Sequence, residues 1–260
     1  MKDEMAAWLK ETVDNVGAAG IVLGISGGID SAVCAALAIE ALGKDRVVGI
    51  VMNIHNSTED RECQQLVISA LHMVTYVHNT EGMFESFRAH MPHAITNERL
   101  ALANVKARIR MMTVYYRANA MNYMVCGTGN ATELTFGYFT KWGDGGCDIL
   151  PLADLYKGEV RELAAELNVP ERIITRKPTA GLWEGQTDED EIGMSYDRLD
   201  KILMFHKDEY PYDIAFEGML EKGFTGDEIH KIYEMIRNSR HKRHMPKGIE
   251  IDVGHTYWYR

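Results

Sequence analysis

Apolar positions along this chain recur with two different periods, and stretches of each period alternate. Met5, Trp8, Leu9, Val13 and Val16 follow helical spacing, and Gly17 and Gly20 close that element. Ile21, Val22, Leu23, Gly24 and Ile25 then form a short unbroken apolar run, as in a strand covered on both faces. Residues 31–42 are alanine-rich and helical up to Gly43, residues 46–52 repeat the buried-strand pattern, and residues 60–71 predict another helix. Val74, Thr75, Tyr76 and Val77 give a third strand. Residues 97–120, which lack Gly and Pro, give a long helix, and Tyr123, Met124, Val125 and Cys126 give a fourth strand closed by Gly127.

Strands that alternate with helices imply parallel β-α-β units. The pattern predicts an α/β fold, a Rossmann-like doubly wound parallel sheet with helices on both faces and ligands at the carboxyl ends of the strands. Past Ala131 the pattern changes. Residues 135–146 are rich in glycine and aromatics and too irregular for a core element, and residues 151–154 turn into a helix over 157–167. Beyond Pro178 an acidic loop at 188–191 leads into further helices, a helical C-terminal extension. No repeat or linker divides the chain, so residues 1–260 read as a single domain.

Composition narrows the partners. With 260 residues, 46% of them hydrophobic, the chain can bury a core without a disulfide or metal staple. A formal charge of −10 repels nucleic acid on average, so a polyanion would need a local basic patch. Cys34, Cys63, Cys126 and Cys147 form no C-x-x-C pair and read as reduced packing thiols of a cytoplasmic protein. The acidic N-terminus opens an amphipathic helix rather than a signal peptide. No apolar run approaches the roughly 18 residues of a membrane span.

The first strand runs into Gly24, Ile25, Ser26, Gly27, Gly28, Ile29, Asp30 and Ser31. Glycines leave room for a phosphate against the backbone, and the first N–H groups of a helix have no internal partners. Ser26 and Ser31 bring hydroxyls, and Asp30 beside phosphates makes sense if Mg²⁺ lies between them. Asp and Ser are also ordinary helix-start residues, so the motif gains its meaning from its place after the first parallel strand. There is no Walker lysine and no G-x-G-x-x-G. The stretch resembles the phosphate loop of pyrophosphatase-loop ATP enzymes, which cleave ATP between the α and β phosphates to make an adenylate.

Later motifs select within that family. Residues 104–111 (NVKARIRM), 127–133 (GTGNATE), 136–148 (FGYFTKWGDGGCD), 154–157 (DLYK), 177–180 (KPTA) and 241–243 (HKR) are similar, in order and spacing, to those of the ammonia-dependent NAD synthetases. The likeness runs from Gly20 to Pro246, and the G-Y-F-T-K-x-G-D-G stretch is its most specific part. It implies ATP-dependent amidation of deamido-NAD by ammonia, with ATP as co-substrate. By the resemblance Asp30 and Glu133 hold Mg²⁺, while Thr128, Lys157 and Thr179 contact ATP. Arg108, Lys141, Asp148, His241 and Lys242 contact deamido-NAD, and Asp148 holds ammonium if it faces the acyl carbon. Catalysis then falls to Asp30, Glu133, Lys157 and Asp148.

Read without the resemblance, these residues keep plainer alternatives. Lys106, Arg108 and Arg110 suit a solvated helix face, Glu133 an exposed loop, and His241 to His244 a solvated basic tail. Tyr138 and Phe139 suit either core packing or stacking on a pyridine ring. Lys157 at a helix start is mildly disfavoured, which hints at a bound anion. Two departures from the family stand out: Met52, Asn53, Ile54 and His55 replace the usual loop after the second strand, and residues 70–73 lack the Leu-Gly turn.

The resemblance also implies a homodimer with the long helix as contact, while the acidic charge and the lack of a long apolar run predict no nucleic acid or membrane partner. The segment before Gly20 is too short for a hydrolase domain, so free ammonia is expected; a separate glutaminase is an open but unindicated source. A different adenylating ligase, a tRNA thiolase and a nucleotide-binding regulator are the competing readings. The charge, the unpaired cysteines and the intact Asp30, Glu133, Lys157 and Thr179 weigh against them.

Overall fold

The computed structural model describes residues 1–91, 98–179, 181, 187–207 and 212–246. Helix α1 (Lys2–Asn15) leads to strand β1 (Gly20–Gly24), helix α2 (Ile29–Leu42), strand β2 (Val47–Asn53), helix α3 (Thr58–Leu71) and strand β3 (Val74–Asn79). Helices α4 (Glu81–His90) and α5 (Glu98–Met121) precede strand β4 (Tyr123–Val125) and helix α6 (Ala131–Phe136). The chain continues through α7 (Lys157–Glu166), α8 (Glu171–Ile174), α9 (Asp188–Ile192), α10 (Tyr196–Lys207), α11 (Tyr212–Glu221) and α12 (Gly226–Ser239).

The strands pair in parallel in the order β3-β2-β1-β4, with Val22 opposite both Val48 and Val125. Period-two alternation divides β1 between two cores. Ile21 and Leu23 pack with α1, α2 and α7, while Val22 joins Val48, Ile50 and Val125 against Val114 and Ala118 of α5. Both faces are therefore covered, which explains the unbroken apolar runs. A further core, built on Tyr196, Leu199, Ile202, Leu203, Met219, Ile229 and Ile232, unites α10 to α12 with α6. The helical C-terminal part thus has its own apolar centre, and it is tied to the sheet-bearing part through α6 and α7.

Several expectations change. Residues 188–191 are the first turns of α9, not a loop, and Asp188 is buried. Helices α4 and α6 do not follow from the periodicity. Lys106 leaves the solvated face and is buried above the Phe84 ring, its ammonium 5.3 Å from the centroid. The absent Leu-Gly turn before β3 is made by His72, whose φ of 49° caps α3 in the left-handed region. Residues 97 and 180 lie outside the described residues, and the long helix is described from Glu98 onward. No helix among the described residues is long and apolar enough to cross a membrane.

Candidate active site

The turn from β1 into α2 is held from several sides. Ile25 N donates to Ile50 O at 2.9 Å, and the Ser31 hydroxyl donates to Gly28 O at 3.0 Å and lies 3.0 Å from the Ser26 hydroxyl. The two serines therefore brace the loop on each other instead of standing free. Gly28 caps α2 without a side-chain acceptor, so the first N–H groups of this 14-residue helix keep their positive potential for an incoming anion. Gly27 sits at φ +85°, and a Cβ there would lie 2.9 Å from Cys63 Cβ and 3.0 Å from Asp60 O. Gly27→Ala is expected to cost about 1–3 kcal/mol of stability through strain at this backbone position. The same change pushes the loop off α3, so thermal denaturation and the KM for ATP should both worsen.

Asp30, in the first turn of α2, meets Glu133, in the first turn of α6, across the ammonium of Lys157. Lys157 Nζ stands 2.6 Å from Asp30 Oδ2 and 3.4 Å from Glu133 Oε1. The other oxygen of each carboxylate is bound to Asn130: its Nδ2 donates to Asp30 Oδ1 at 2.8 Å and its backbone N donates to Glu133 Oε2 at 3.3 Å. Asn130 is also the N-cap of α6, accepting from Glu133 N at 3.0 Å, which explains the Gly-x-Gly-Asn-Ala-Thr-Glu turn locally. Tyr196 puts its ring 5.0 Å from the same ammonium and donates its hydroxyl to Asp188. Tyr138 also donates to Asp188 and to Glu191, and one face of its ring stacks on Phe136.

Burial pushes the Glu133 carboxyl up to about 8; Lys157 opposes the shift and the Asp30 charge adds to it. Burial alone would lower Lys157, but Asp30 and Glu133 lift it well above its ordinary range. The two carboxylates thus converge on one cation. Hard oxygens from two acids suit Mg²⁺, which takes its remaining ligands from phosphates and water; among the described residues no group of three His, Cys, Asp or Glu is placed to hold a metal ion by itself.

This cluster and the phosphate loop line one cavity of about 550 Å³, at the carboxyl ends of the strands. Gly24, Ile25, Ser26, Gly28, Ile29, Asp30, Ser31, Thr128, Glu133, Lys157, Thr179 and Lys242 all reach it, as does Met52 of the divergent loop. Lys242 donates to the carbonyls of Gly137 and Phe139. The remaining substrate candidates do not line it. Lys141 and His241 border a second, basic depression with Arg240 and His244, where Lys141 Nζ donates to His244 O at 3.0 Å. Arg108 is exposed, donating to Lys141 O. Asp148 is exposed too, and accepts from Tyr115 at 2.9 Å and from Val125 N at 2.8 Å. The Asp148 carboxylate thus closes the end of β4 instead of facing the cavity.

Several lining residues are absent from the sequence-based set. Arg176 donates to Gly27 O at 3.3 Å and pairs with Asp60, joining α3 to the phosphate loop. Asp144 accepts from Thr140 N at 2.9 Å. Arg110, which by spacing suits a solvated face with its neighbours, projects into the cavity. Burial pulls its pKa down, with Asp144 and Asp60 opposing. Only the run of basic residues on α5 hints at it.

The chain matches a family model described as NAD synthase over residues 1–246. An NH(3)-dependent NAD(+) synthetase of Methanosarcina mazei is 41% identical over 247 residues, covering 94% of this chain and 95% of that protein. Among solved structures, an NMN synthetase from Francisella tularensis superposes with a TM-score of 0.84 at 34% identity, covering 96% of this chain and 97% of that one. An NH3-dependent NAD synthetase from Campylobacter jejuni gives 0.79 at 27% identity, with the same coverage.

Proposed function

The chain belongs to the NAD synthase family, and on that premise we propose that it makes NAD from deamido-NAD, ATP and ammonia through an adenylated carboxylate. The observation that carries this reading is the convergence of Asp30, Glu133 and Lys157 on one point beside the phosphate loop. A nicotinate carboxylate is a poor acyl donor, because its charge repels nucleophiles and its oxygen leaves badly. Its oxygen attacks the α-phosphorus of ATP, the bond to the bridging oxygen of the β phosphate breaks, and pyrophosphate departs. Ammonia, formed when ammonium gives up a proton, then attacks the acyl carbon. AMP leaves with the acyl C–O electron pair, and a further proton is lost to give the amide.

The protein contributes alignment and charge. Residues 24–31 cradle the phosphates against the start of α2, and Lys157 and Thr179 neutralise and orient the leaving pyrophosphate. Thr128, at the end of β4, reaches the nucleotide. Asp30 and Glu133 would hold Mg²⁺, which supplies Lewis-acid charge at the phosphate oxygens. The Arg110 guanidinium, half-buried and lining the cavity, suits a substrate anion. Arg108, Lys141, Asp148, His241 and Lys242 form the deamido-NAD set, of which Lys242 alone lines the main cavity.

That division favours a homodimer in which a second copy completes the dinucleotide site. Arg108, Met112 and Tyr116 fall four residues apart as an exposed stripe of α5, and the edge strand β3 exposes Val74, Tyr76 and Val77. An apolar surface of this kind calls for a partner, and sedimentation equilibrium measures it. A second reading rests on the 34% identity to an NMN synthetase, which makes nicotinate mononucleotide the rival acyl donor.

One assay decides among these. Purified protein with ATP, Mg²⁺ and ammonium is offered deamido-NAD or nicotinate mononucleotide, and amide and pyrophosphate are followed. A higher kcat/KM with deamido-NAD supports the proposal, and the reverse supports the second reading. Absence of pyrophosphate with either removes both.

A further inference from the structure

Asp200, on α10, is a buried carboxylate that no step above uses; it is 5% exposed. Its Oδ1 accepts from the Thr132 hydroxyl at 2.6 Å, and its Oδ2 accepts from Gly158 N at 3.1 Å. The Thr132 oxygen in turn accepts from Lys157 N at 3.0 Å. Thr132 immediately precedes Glu133, and Gly158 immediately follows Lys157. The first N–H groups of a helix need outside acceptors. Those of α7 find them on α6 and α10, so the helix that carries Lys157 is capped by two other helices. Asp200 thus places a carboxylate at the start of α7, where it accepts from Gly158 N.

We propose that Asp200 is a positioning residue for adenylation: through Thr132 and Gly158 it locks the start of α7 to α6, and so fixes where the Lys157 ammonium meets Asp30 and Glu133. This rests on the role given to Lys157 and Glu133 under the proposed function. Asp200 presents acceptors on both oxygens. That obliges the Thr132 hydroxyl to donate toward Asp200 and leaves its lone pair for Lys157 N. Tyr196, one turn earlier on α10, lays its ring beside the same ammonium. One face of α10 thereby holds Gly158 N directly and Lys157 N through Thr132, and meets the Lys157 side chain with the Tyr196 ring. An amide at position 200 breaks the pattern: with its oxygen toward Thr132, its NH₂ opposes the Gly158 N–H, donor against donor.

Asp200→Asn is expected to lower kcat for pyrophosphate release about 10- to 100-fold, as small misplacements of reacting groups do, while the KM for ATP changes by less than about threefold. Thr132→Val should fall similarly, and Thr132→Ser, which keeps the hydroxyl, should stay near wild type. The double variant Asp200→Asn/Thr132→Val should be no slower than the slower single variant, because both break one connection. Multiplying losses in the double variant, a KM effect without a kcat effect, or an undiminished Asp200→Asn each overturn the proposal. If Asp200→Asn does not fold, the Thr132 pair decides, and equal rates for Val and Ser overturn it. A wild-type protein that releases no pyrophosphate overturns the functional reading itself, and this inference with it; an active wild type with the other failures overturns this inference alone.

Discussion

Asp30→Asn and Glu133→Gln are each expected to slow pyrophosphate release by roughly 10²- to 10⁴-fold, the range for removing charge stabilisation from a phosphoryl-transfer centre. The two should differ in stability. Asp30 gives one oxygen to Lys157 and the other to Asn130, so an amide there confronts the Asn130 NH₂ or the ammonium with a donor. Glu133 likewise gives one oxygen to Lys157 and the other to Asn130 N, but burial already disfavours its charge, so losing that charge costs less than at Asp30. The melting temperature of Glu133→Gln should therefore fall less than that of Asp30→Asn. The measurements are pyrophosphate release under saturating ATP and thermal denaturation without ligands. An active Glu133→Gln enzyme would remove Glu133 from the metal set and leave the shared cation without its second acid.

The parts of this site legible in sequence are those made by neighbours along the chain. The strand-glycine-helix turn at residues 20–31 is local, and its apolar run already states that both faces of β1 are covered. The four strands are visible for the same reason. What the sequence hides depends on contacts between distant segments. Arg176 and Asp60 lie 116 residues apart, and Lys157 reaches Asp30 across 127. Helix α9 is obscured because four consecutive acids look like a solvated loop. The acids favour a helix N-terminus electrostatically, the Thr187 side chain accepts from Asp190 N as its cap, and Asp188 is buried by two tyrosines from other elements. Spacing on α5 also misleads. Lys106, Arg108 and Arg110 alternate in sequence, yet Arg108 faces out while Lys106 and Arg110 turn inward, since residues two apart fall on different sides of a helix. The resemblance to the NAD synthetases names candidates that local reading does not reach, and it does not say which of them share a cavity.

Lys157→Met is expected to abolish measurable turnover and also to reveal the cation site without any turnover. The Lys157 side chain is 2% exposed, and its ammonium stands between two acids that would otherwise face each other. Breaking a buried ion pair by removing one partner typically costs about 3–5 kcal/mol, because the remaining charge has no compensation. Methionine keeps most of the volume, so the loss should come from Asp30 and Glu133 rather than from a cavity. Protonation of one acid limits that loss, since two close carboxylates resist ionising together. A divalent cation should repair it more fully. Millimolar Mg²⁺ should therefore raise the melting temperature of Lys157→Met well beyond its effect on wild type, where the ammonium competes for the same oxygens. The added stability should vanish in Lys157→Met/Asp30→Asn, which lacks one ligand. Calorimetric melting with and without Mg²⁺ measures each quantity. If Mg²⁺ shifts the variant and the wild type equally, the two carboxylates do not form a cation site, and Lys157 is a structural counter-ion only.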